Sequence, residues 1–333
     1  MQYIPLRVYA AVTSCLPVGH SMRVASGVAA ILARCWPRRI DRAKANIAMC
    51  FPDLSASEVD RLSSASMRYM MQLFMVDSIV MPRLITPRRW PQYVSFGDIG
   101  TVGDRLMRGE SMILLTGHCG NWELLGYALS VMGHQVHALA RPLDNPLIDQ
   151  WLLGMRQRHG LDVISKFGAT PELERILQEG GCLGFIADQN AGDQGLFVPF
   201  FGKLASTYKS IALLAMKYDV PVVAAHAVRV SPGFRYEIRV QDVIEPEDWA
   251  AQPDPLYYIT ARYNLALEMM IRSAPEQYLW LHRRWKSRPR HERRGKPVPP
   301  SLIRQLSQLP WLDDDAVQAI VDRSTADASN NQV

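Results

Sequence analysis

The sequence lacks the features that mark several large classes of protein. Its 333 residues contain five cysteines, an odd number without a CxxC pair, so reduced thiols are expected rather than a disulfide framework. The N-terminal apolar runs are too short to span a bilayer, because Pro17, Gly19, His20 and Arg23 interrupt any longer run. No repeat with a period of about 20 to 50 residues is evident, which argues against solenoids and propellers.

Several catalytic and binding motifs are also absent. Without HExxH a zinc site is not expected, and without GxSxG a serine nucleophile is not. There is no Walker A or GxGxxG motif after a strand, so no metal or cofactor is predicted. No ribonucleoprotein motif, zinc finger or helix-turn-helix pattern supports a nucleic-acid partner.

Positive charge is concentrated in two places. The formal charge is +5, but the first 50 residues and the run "HRRWKSRPRHERRGK" (282–296) are strongly basic, whereas the chain between them is acidic. Such patches suit phosphate-bearing partners, including the anionic face of a membrane. For an isolated run, a solvated surface would be the simpler interpretation.

The N-terminal region contains two apolar stretches, "VYAAVTSCLP" and "VASGVAAILARCW", flanked by arginines. They suit a segment that lies in a membrane interface, and a buried helix pair is the alternative. We therefore divide the chain into an apolar, basic-flanked membrane-associated segment (1–45), a central domain (46–296) and a partly mobile C-terminal extension (297–333).

Alternating strands and helices predict the fold of the central domain. Strands are predicted at 111–116, 135–141, 162–165, 182–188, 221–230 and 235–243, and helices at 121–132, 145–159, 171–179, 206–218 and 256–272. This order predicts an α/β fold with a single mostly parallel sheet flanked by helices. In such sheets the functional residues collect beyond the carboxyl ends of the strands.

Polar residues occur at those predicted strand ends: His118, Arg141 and Asp188. In "TGHCGNWE" (116–123), Gly120 permits a tight corner, and a helix capped by Asn121 places Glu123 in its first turn. His118 and Glu123 could then meet, which would make the histidine a general base. Alternatively Glu123 only caps the helix and His118 packs. Cys119 is a competing nucleophile, although buried inert cysteines are more common.

The sequence resembles the bacterial lipid A biosynthesis acyltransferase family of lauroyl/myristoyl type, within the wider lysophospholipid acyltransferase group. The resemblance extends to about residue 296 and rests on six segments in order. They are "RAKANIAMCFPDLS" (42–55), "TGHCGNWELLGYAL" (116–129), "ARPLDNP" (140–146), "LGFIADQNAG" (183–192), "VPFFGKLASTYKS" (198–210) and "PEQYLWLHRRWKSRP" (275–289).

The resemblance implies a cofactor-independent enzyme on the cytoplasmic face of the inner membrane. It would move a fatty acyl chain from acyl carrier protein, or sometimes coenzyme A, onto a lipid-linked acceptor. Its H-x4-D/E motif matches His118 and Glu123, so His118 would deprotonate an acceptor hydroxyl that attacks the thioester without an acyl-enzyme. Oxyanion or substrate-binding roles are then expected for six residues: Arg141, Gly120, Asn121, Asp188, Gln189 and Asn190.

Two further segments gain an interpretation from this resemblance. "GLFVPFFG" (195–202) could line an acyl channel or enter the bilayer, with core packing as the alternative. The basic run beside Trp280 and Trp285 suits phosphate head groups or an acidic carrier protein, through Arg283, Arg284, Lys286 and Arg288.

The leading hypothesis is therefore an acyltransferase that modifies a lipid A precursor or a related glycolipid or lysolipid. One rival is a lipid hydrolase that uses the same dyad to activate water. The other is a noncatalytic lipid-binding protein. The acceptor lipid and the acyl chain length are left open, because "GHCGNWE" also suits enzymes of the wider group that acylate other lipids.

Overall fold

The computed structural model describes residues 3–140, 142–158, 160–165 and 168–330. The predicted site residue Arg141 lies outside these ranges. Within them the chain forms nine strands: β1 Val94–Phe96, β2 Met112–Thr116, β3 Val136–Ala140, β4 Asp162–Ser165, β5 Cys182–Ile186, β6 Leu196–Phe200, β7 Lys203–Thr207, β8 Val222–Arg229 and β9 Tyr236–Ile244.

Seven of these described strands form one sheet in the order β1-β9-β8-β2-β5-β3-β4. Strands β8, β2, β5, β3 and β4 are mutually parallel, whereas β9 pairs antiparallel with β8, and β1 runs parallel to β9. The prediction of a mostly parallel α/β sheet is confirmed. Strands β6 and β7 form a separate antiparallel hairpin.

Helices cover both faces of the sheet. They are α6 Gly100–Arg108, α7 Trp122–Val131, α8 Pro146–Gln157, α9 Thr170–Gln178, α10 Ser210–Tyr218, α11 Pro246–Ala250 and α12 Pro255–Ser273. Every residue of β2 is buried, as expected for a strand with helices on both sides. Ile113 and Leu115 belong to one apolar core together with α9, α10 and α12, while Met112 and Leu114 belong to another that includes α7.

The N-terminal third is helical: α1 Tyr3–Cys15, α2 Val18–Cys35, α3 Pro37–Cys50, α4 Ala56–Gln72 and α5 Ser78–Leu84. On α1 the side chains of Ile4, Val8 and Val12 are exposed at four-residue spacing and therefore form an apolar stripe. Among the described helices, none is long and apolar enough to cross a membrane.

A π-helical turn, Leu73–Asp77, separates α4 from α5 and carries the Asp77 carboxylate into the interior. There Asp77 accepts hydrogen bonds from the Arg229 guanidinium and the Tyr236 hydroxyl. A buried carboxylate is tolerated because both partners are charged or polar donors. This ion pair joins the helical N-terminal third to β8 and β9.

In the later part of the chain, the predicted bounds of one helix differ from the structure. The predicted helix at 206–218 begins at Ser210, because residues up to Thr207 belong to β7. In "GLFVPFFG", Val198, Phe200 and Phe201 are buried in the core, so the core-packing alternative describes these side chains.

Three helices occur toward the C-terminus. Helix α13 Arg290–Arg293 precedes the extension, and α14 Pro300–Ser307 and α15 Asp314–Asn330 lie within it. Val317 and Ile320 are buried, and Asp327 forms ion pairs with Lys203 and Arg288. Helix α15 therefore packs an apolar face against the protein, although its composition is polar.

Candidate active site

His118 and Asp188 lie together at the carboxyl edge of the sheet. Thr116, the last residue of β2, pairs with Ile186, the last residue of β5. Each functional side chain follows two residues later, and His118 Nδ1 lies 2.7 Å from Asp188 Oδ1. The parallel register therefore brings together two residues that are distant in sequence.

The hydrogen bond defines the state of the imidazole. Because a carboxylate only accepts, Nδ1 carries the proton and Nε2 of neutral His118 is the acceptor. Burial alone would lower the pKa of His118, but the charge and hydrogen bond of Asp188 outweigh it and raise that pKa. Burial would raise the pKa of Asp188, whereas His118 and then Arg284 hold it below its usual range. The pair is a histidine held by a buried, ionised carboxylate, an arrangement that suits a general base.

Two neighbours shape the surroundings of this imidazole. The ring of Trp122 packs edge-on against His118, with centroids 4.8 Å apart. Gln189, predicted as a substrate-binding residue, places Nε2 3.5 Å from each ring nitrogen of His118. The His118 side chain is 19% exposed, so one edge of the ring is open to a reactant.

The orienting carboxylate is therefore Asp188 and not the predicted Glu123. Glu123 accepts hydrogen bonds from Arg156, with Arg156 Nε 2.8 Å from Glu123 Oε2. Its position in the first turn of α7 is as predicted, but the side chain is directed to α8. Its negative charge still contributes to raising the pKa of His118.

The backbone amides of Gly120 and Asn121 do not face the site as free donors. Gly120 N–H donates to Gln277 O over 2.9 Å, and Asn121 N–H donates to Ala227 O over 2.7 Å. The Asn121 side chain caps α7 by accepting from Leu124 N–H at 3.0 Å, as predicted for a helix start. Because both amides are engaged, the predicted oxyanion role does not fit this geometry.

Asn190 holds a neighbouring loop against the site. Its backbone N–H donates to His282 Nε2 at 3.1 Å, and its side-chain amide bonds to Ser287. Burial lowers the pKa of His282, which keeps its Nε2 available as an acceptor. The loop 282–287 is thereby fixed beside the residues that follow β5.

The four predicted basic residues divide into two groups. Arg284 is buried, and its guanidinium donates to Ser206 O, Thr207 Oγ1 and Asn264 Oδ1. Arg288 pairs with Glu292 and Asp327 in the interior. Both are therefore structural, and the surface interpretation applies only to Arg283 and Lys286, which are exposed.

Cys119, the competing nucleophile, is buried, and burial raises the pKa of its thiol. A neutral thiol in the core is a poor nucleophile. A second histidine–aspartate pair, His137 Nδ1 with Asp162 Oδ2 at 2.8 Å, lies at the amino ends of β3 and β4. It provides a natural comparison, since it sits at the opposite edge of the sheet from His118.

Two apolar spaces lie beside Trp122, the residue whose ring packs against His118. One, here called the strand cavity, lies between β2, β5, β3 and helices α7 and α8 and is a narrow space of about 70 Å³. The other, here called the helix groove, has a volume of about 560 Å³ and lies between α1, α5 and α8. Trp122, Glu123 and Arg156 line both, so the ion pair forms part of the wall between them.

Arg156 is a site neighbour that the sequence did not indicate, and Thr116 is one to which the sequence assigned no role. Arg156 is 20% exposed and forms the charged rim of both spaces. Thr116 lines the strand cavity, and no hydrogen bond from its hydroxyl occurs within the described residues. Arg156 lies outside the quoted motifs, so only the three-dimensional approach of α8 to α7 reveals it.

A histidine–carboxylate pair beside apolar cavities is an arrangement suited to base catalysis on a substrate with a hydrophobic chain. The sequence profile of the family described as bacterial lipid A biosynthesis acyltransferase matches residues 6–287. The chain belongs to this family and is an acyltransferase.

Individual relatives are consistent with this assignment. The lipid A biosynthesis lauroyltransferase of Escherichia coli (strain K12) is 28% identical over 285 residues, which cover 82% of this chain and 88% of that protein. The palmitoleoyltransferase of the same organism is 25% identical over 76% of this chain and 80% of its own. The myristoyltransferase is 23% identical over 74% and 75%.

A crystal structure of the 1-acyl-sn-glycerophosphate acyltransferase from Thermotoga maritima aligns with a TM-score of 0.33 at 11% identity, covering 76% of this chain and 94% of that one. A likeness this weak does not assign fold or function.

Proposed function

We propose that this acyltransferase moves a fatty acyl chain from an acyl carrier protein or coenzyme A thioester to a hydroxyl of a lipid A precursor or related glycolipid. The observation that carries the proposal is His118, held by Asp188 at 2.7 Å beside the strand cavity. A fixed imidazole with a free Nε2 can activate a hydroxyl, and the cavity can take an apolar chain.

The reaction balances without an acyl-enzyme. Nε2 of His118 takes the proton of the acceptor hydroxyl while its oxygen attacks the thioester carbonyl carbon. The new C–O bond forms, the C–S bond breaks, and the proton passes from His118 to the departing thiolate. Asp188 stabilises the imidazolium that exists between these two proton transfers.

The tetrahedral intermediate needs hydrogen-bond donors for its oxyanion. Since Gly120 and Asn121 use their amides within the fold, we assign this role to the Gln189 side-chain amide, which adjoins the His118 ring. Arg141 is retained as a proposed donor or substrate-binding residue from its place in the "ARPLDNP" motif.

The proposed donor and membrane surface follow from exposed side chains. Arg283 and Lys286 extend from the loop that Asn190 and His282 fix beside the site, and they would attract an acidic carrier protein or anionic lipid. The apolar stripe of Ile4, Val8 and Val12 would enter the bilayer interface from the cytoplasmic face of the inner membrane.

The relatives support acyl transfer to lipid A. They do not specify which acyl chain is transferred, since their names give three acyl groups: lauroyl, palmitoleoyl and myristoyl. The experiment uses full-length protein with acyl carrier protein thioesters and extracted lipid acceptors, and mass spectrometry of the products. We expect His118→Ala to abolish transfer while His137→Ala, which breaks the second His–Asp pair, retains it.

Transfer that persists in His118→Ala would refute the proposed base. Release of free fatty acid by the wild type in the absence of any acceptor, without transfer when an acceptor is supplied, would assign the site to a hydrolase instead.

A further inference from the structure

The floor of the strand cavity is formed by four residues that lie side by side on adjacent strands of the sheet. The strand register aligns Leu114 of β2 with Gly184 of β5, Gly184 with Ala138 of β3, and Ala138 with Val163 of β4. All four line the cavity. The two smallest residues, Gly184 and Ala138, therefore lie in the middle of the row. The cavity is deep there because these residues have little or no side chain.

Gly184 is unusual because glycine weakens the interior of a strand unless something must approach the backbone closely. A Cβ atom at this position would lie 3.7 Å from Ala138 Cα, His137 O and Val136 Cγ1, which is ordinary van der Waals contact. The fold would therefore accept alanine here. The glycine leaves space in the cavity that packing of the protein does not require.

The cavity is polar at one end and apolar at the other. Among the described residues that line it, Thr116, Glu123 and Arg156 carry polar groups, and Thr116 and Ile186 end the strands that lead to His118 and Asp188. Gly184, Ala138 and Val163 lie deeper and are apolar. A fatty acyl thioester has the same polarity, with its reacting carbonyl at one end of a hydrocarbon chain.

We propose that Gly184, with Ala138 beside it, sets the length of the acyl chain that this enzyme transfers. The inference rests on the proposed function and places the donor chain in the strand cavity, with its carbonyl near His118 and its methylenes over Gly184. A narrow space between sheet and helices suits one unbranched chain. The wider helix groove is left for the other lipid.

Enlarging either residue should shorten the preferred chain. Burial of one methylene is worth ~0.8 kcal/mol, about fourfold in kcat/KM, so excluding two methylenes should lower kcat/KM about tenfold or more. Gly184→Ala is expected to shift the preferred donor to a shorter chain and leave kcat/KM for short donors near the wild-type value. Ala138→Val should produce the same shift from the neighbouring strand, where valine is well tolerated.

The test measures kcat/KM for acyl carrier protein thioesters that differ by two carbons, at a fixed acceptor, with thermal unfolding as the folding check. Gly154→Ala is the matched control, because its Cβ would meet nothing within 4 Å and Gly154 lines neither space. This control should keep the wild-type chain profile. Ile148→Phe narrows the helix groove and reports whether that space holds the donor chain instead.

An unchanged profile in folded Gly184→Ala and Ala138→Val overturns the inference, as does a shift produced by Ile148→Phe alone. A uniform loss for all chain lengths in both cavity variants also overturns it. Absence of transfer by the wild type with every donor would instead refute the proposed function, so the two failures are distinguishable.

Discussion

Asp188 accepts a hydrogen bond from His118 across 2.7 Å and is itself only 1% exposed, so the imidazole is held by a carboxylate that water hardly reaches. Replacing Asp188 by the isosteric asparagine removes the negative charge and keeps the packing, so the effect of the charge on His118 can be measured alone. We expect Asp188→Asn to lower kcat by about 10² to 10⁴, because the imidazolium loses its stabilising charge and the amide NH2 can favour the other tautomer of His118.

The pH profile of the same variant provides a second readout. The base must be neutral, so activity rises with pH through the pKa of His118. Because Asp188 raises that pKa against the opposing effect of burial, the acidic limb of kcat/KM in Asp188→Asn should move to lower pH. A limb that stays in place, or moves to higher pH, would contradict the assignment.

The Glu123–Arg156 ion pair predicts a different outcome for the other carboxylate. Glu123→Gln should reduce kcat less than Asp188→Asn, because Glu123 is bonded to Arg156 and acts on His118 only through its charge. Steady-state kinetics of both variants under one condition give the ranking. The reverse ranking would restore the interpretation that the H-x4-E motif alone suggests.

Substitution of Arg283 and of Arg284 should have different effects on the stability of the protein. Arg284→Met leaves buried acceptors at Ser206 and Thr207 without their donor and should lower the free energy of unfolding by about 3 kcal/mol or more. Arg283→Ala, on the exposed side, should leave stability within about 0.5 kcal/mol.

Arg283→Ala should instead raise KM for the carrier-protein donor, with an effect that fades at high salt. Chemical denaturation tests the predicted stabilities of the two variants, and salt-dependent kinetics test the predicted KM of Arg283→Ala. Equal loss of stability in both variants would mean that the loop is not held as described.

Gly120 should be intolerant of a side chain. Its φ is +62°, and an added Cβ would lie 2.1 Å from Ala227 O, so Gly120→Ala must displace the corner that carries His118. We expect a loss of about 2 kcal/mol or more in stability together with reduced kcat. Wild-type thermal stability in Gly120→Ala would show that this corner can move freely.

The sequence predicts the sheet well because each parallel strand is a short apolar run with a helix after it. Strand β4 has the predicted bounds, 162–165, and β2 and β8 begin or end within a residue of their predicted limits. The hairpin of β6 and β7 was not predicted, since proline within "GLFVPFFG" weakens a strand signal. A polar composition likewise hid α15, whose apolar face needs the hairpin and α13 to be buried.

The sequence identifies candidate site residues, but it does not show which of them contact each other. His118 and Asp188 were both recognised at strand ends, but the order of strands decides which carboxylate reaches the ring. Adjacent β2 and β5 place Asp188 there, and the position of α8 draws Glu123 away toward Arg156. The interior location of Arg284 was equally hidden, because a run of basic residues looks the same whether one of them points inward or outward.

Helix α15 lies beyond residue 287, where the family match ends, yet its Asp327 joins Lys203 of the hairpin to Arg288 beside the 282–287 loop. Truncation of the protein at residue 287 would therefore remove the ion pairs of Asp327, which support the loop beside His118 and Asp188. Helix α15 thus supports the loop beside His118 and Asp188, and shortened versions of the protein should keep it.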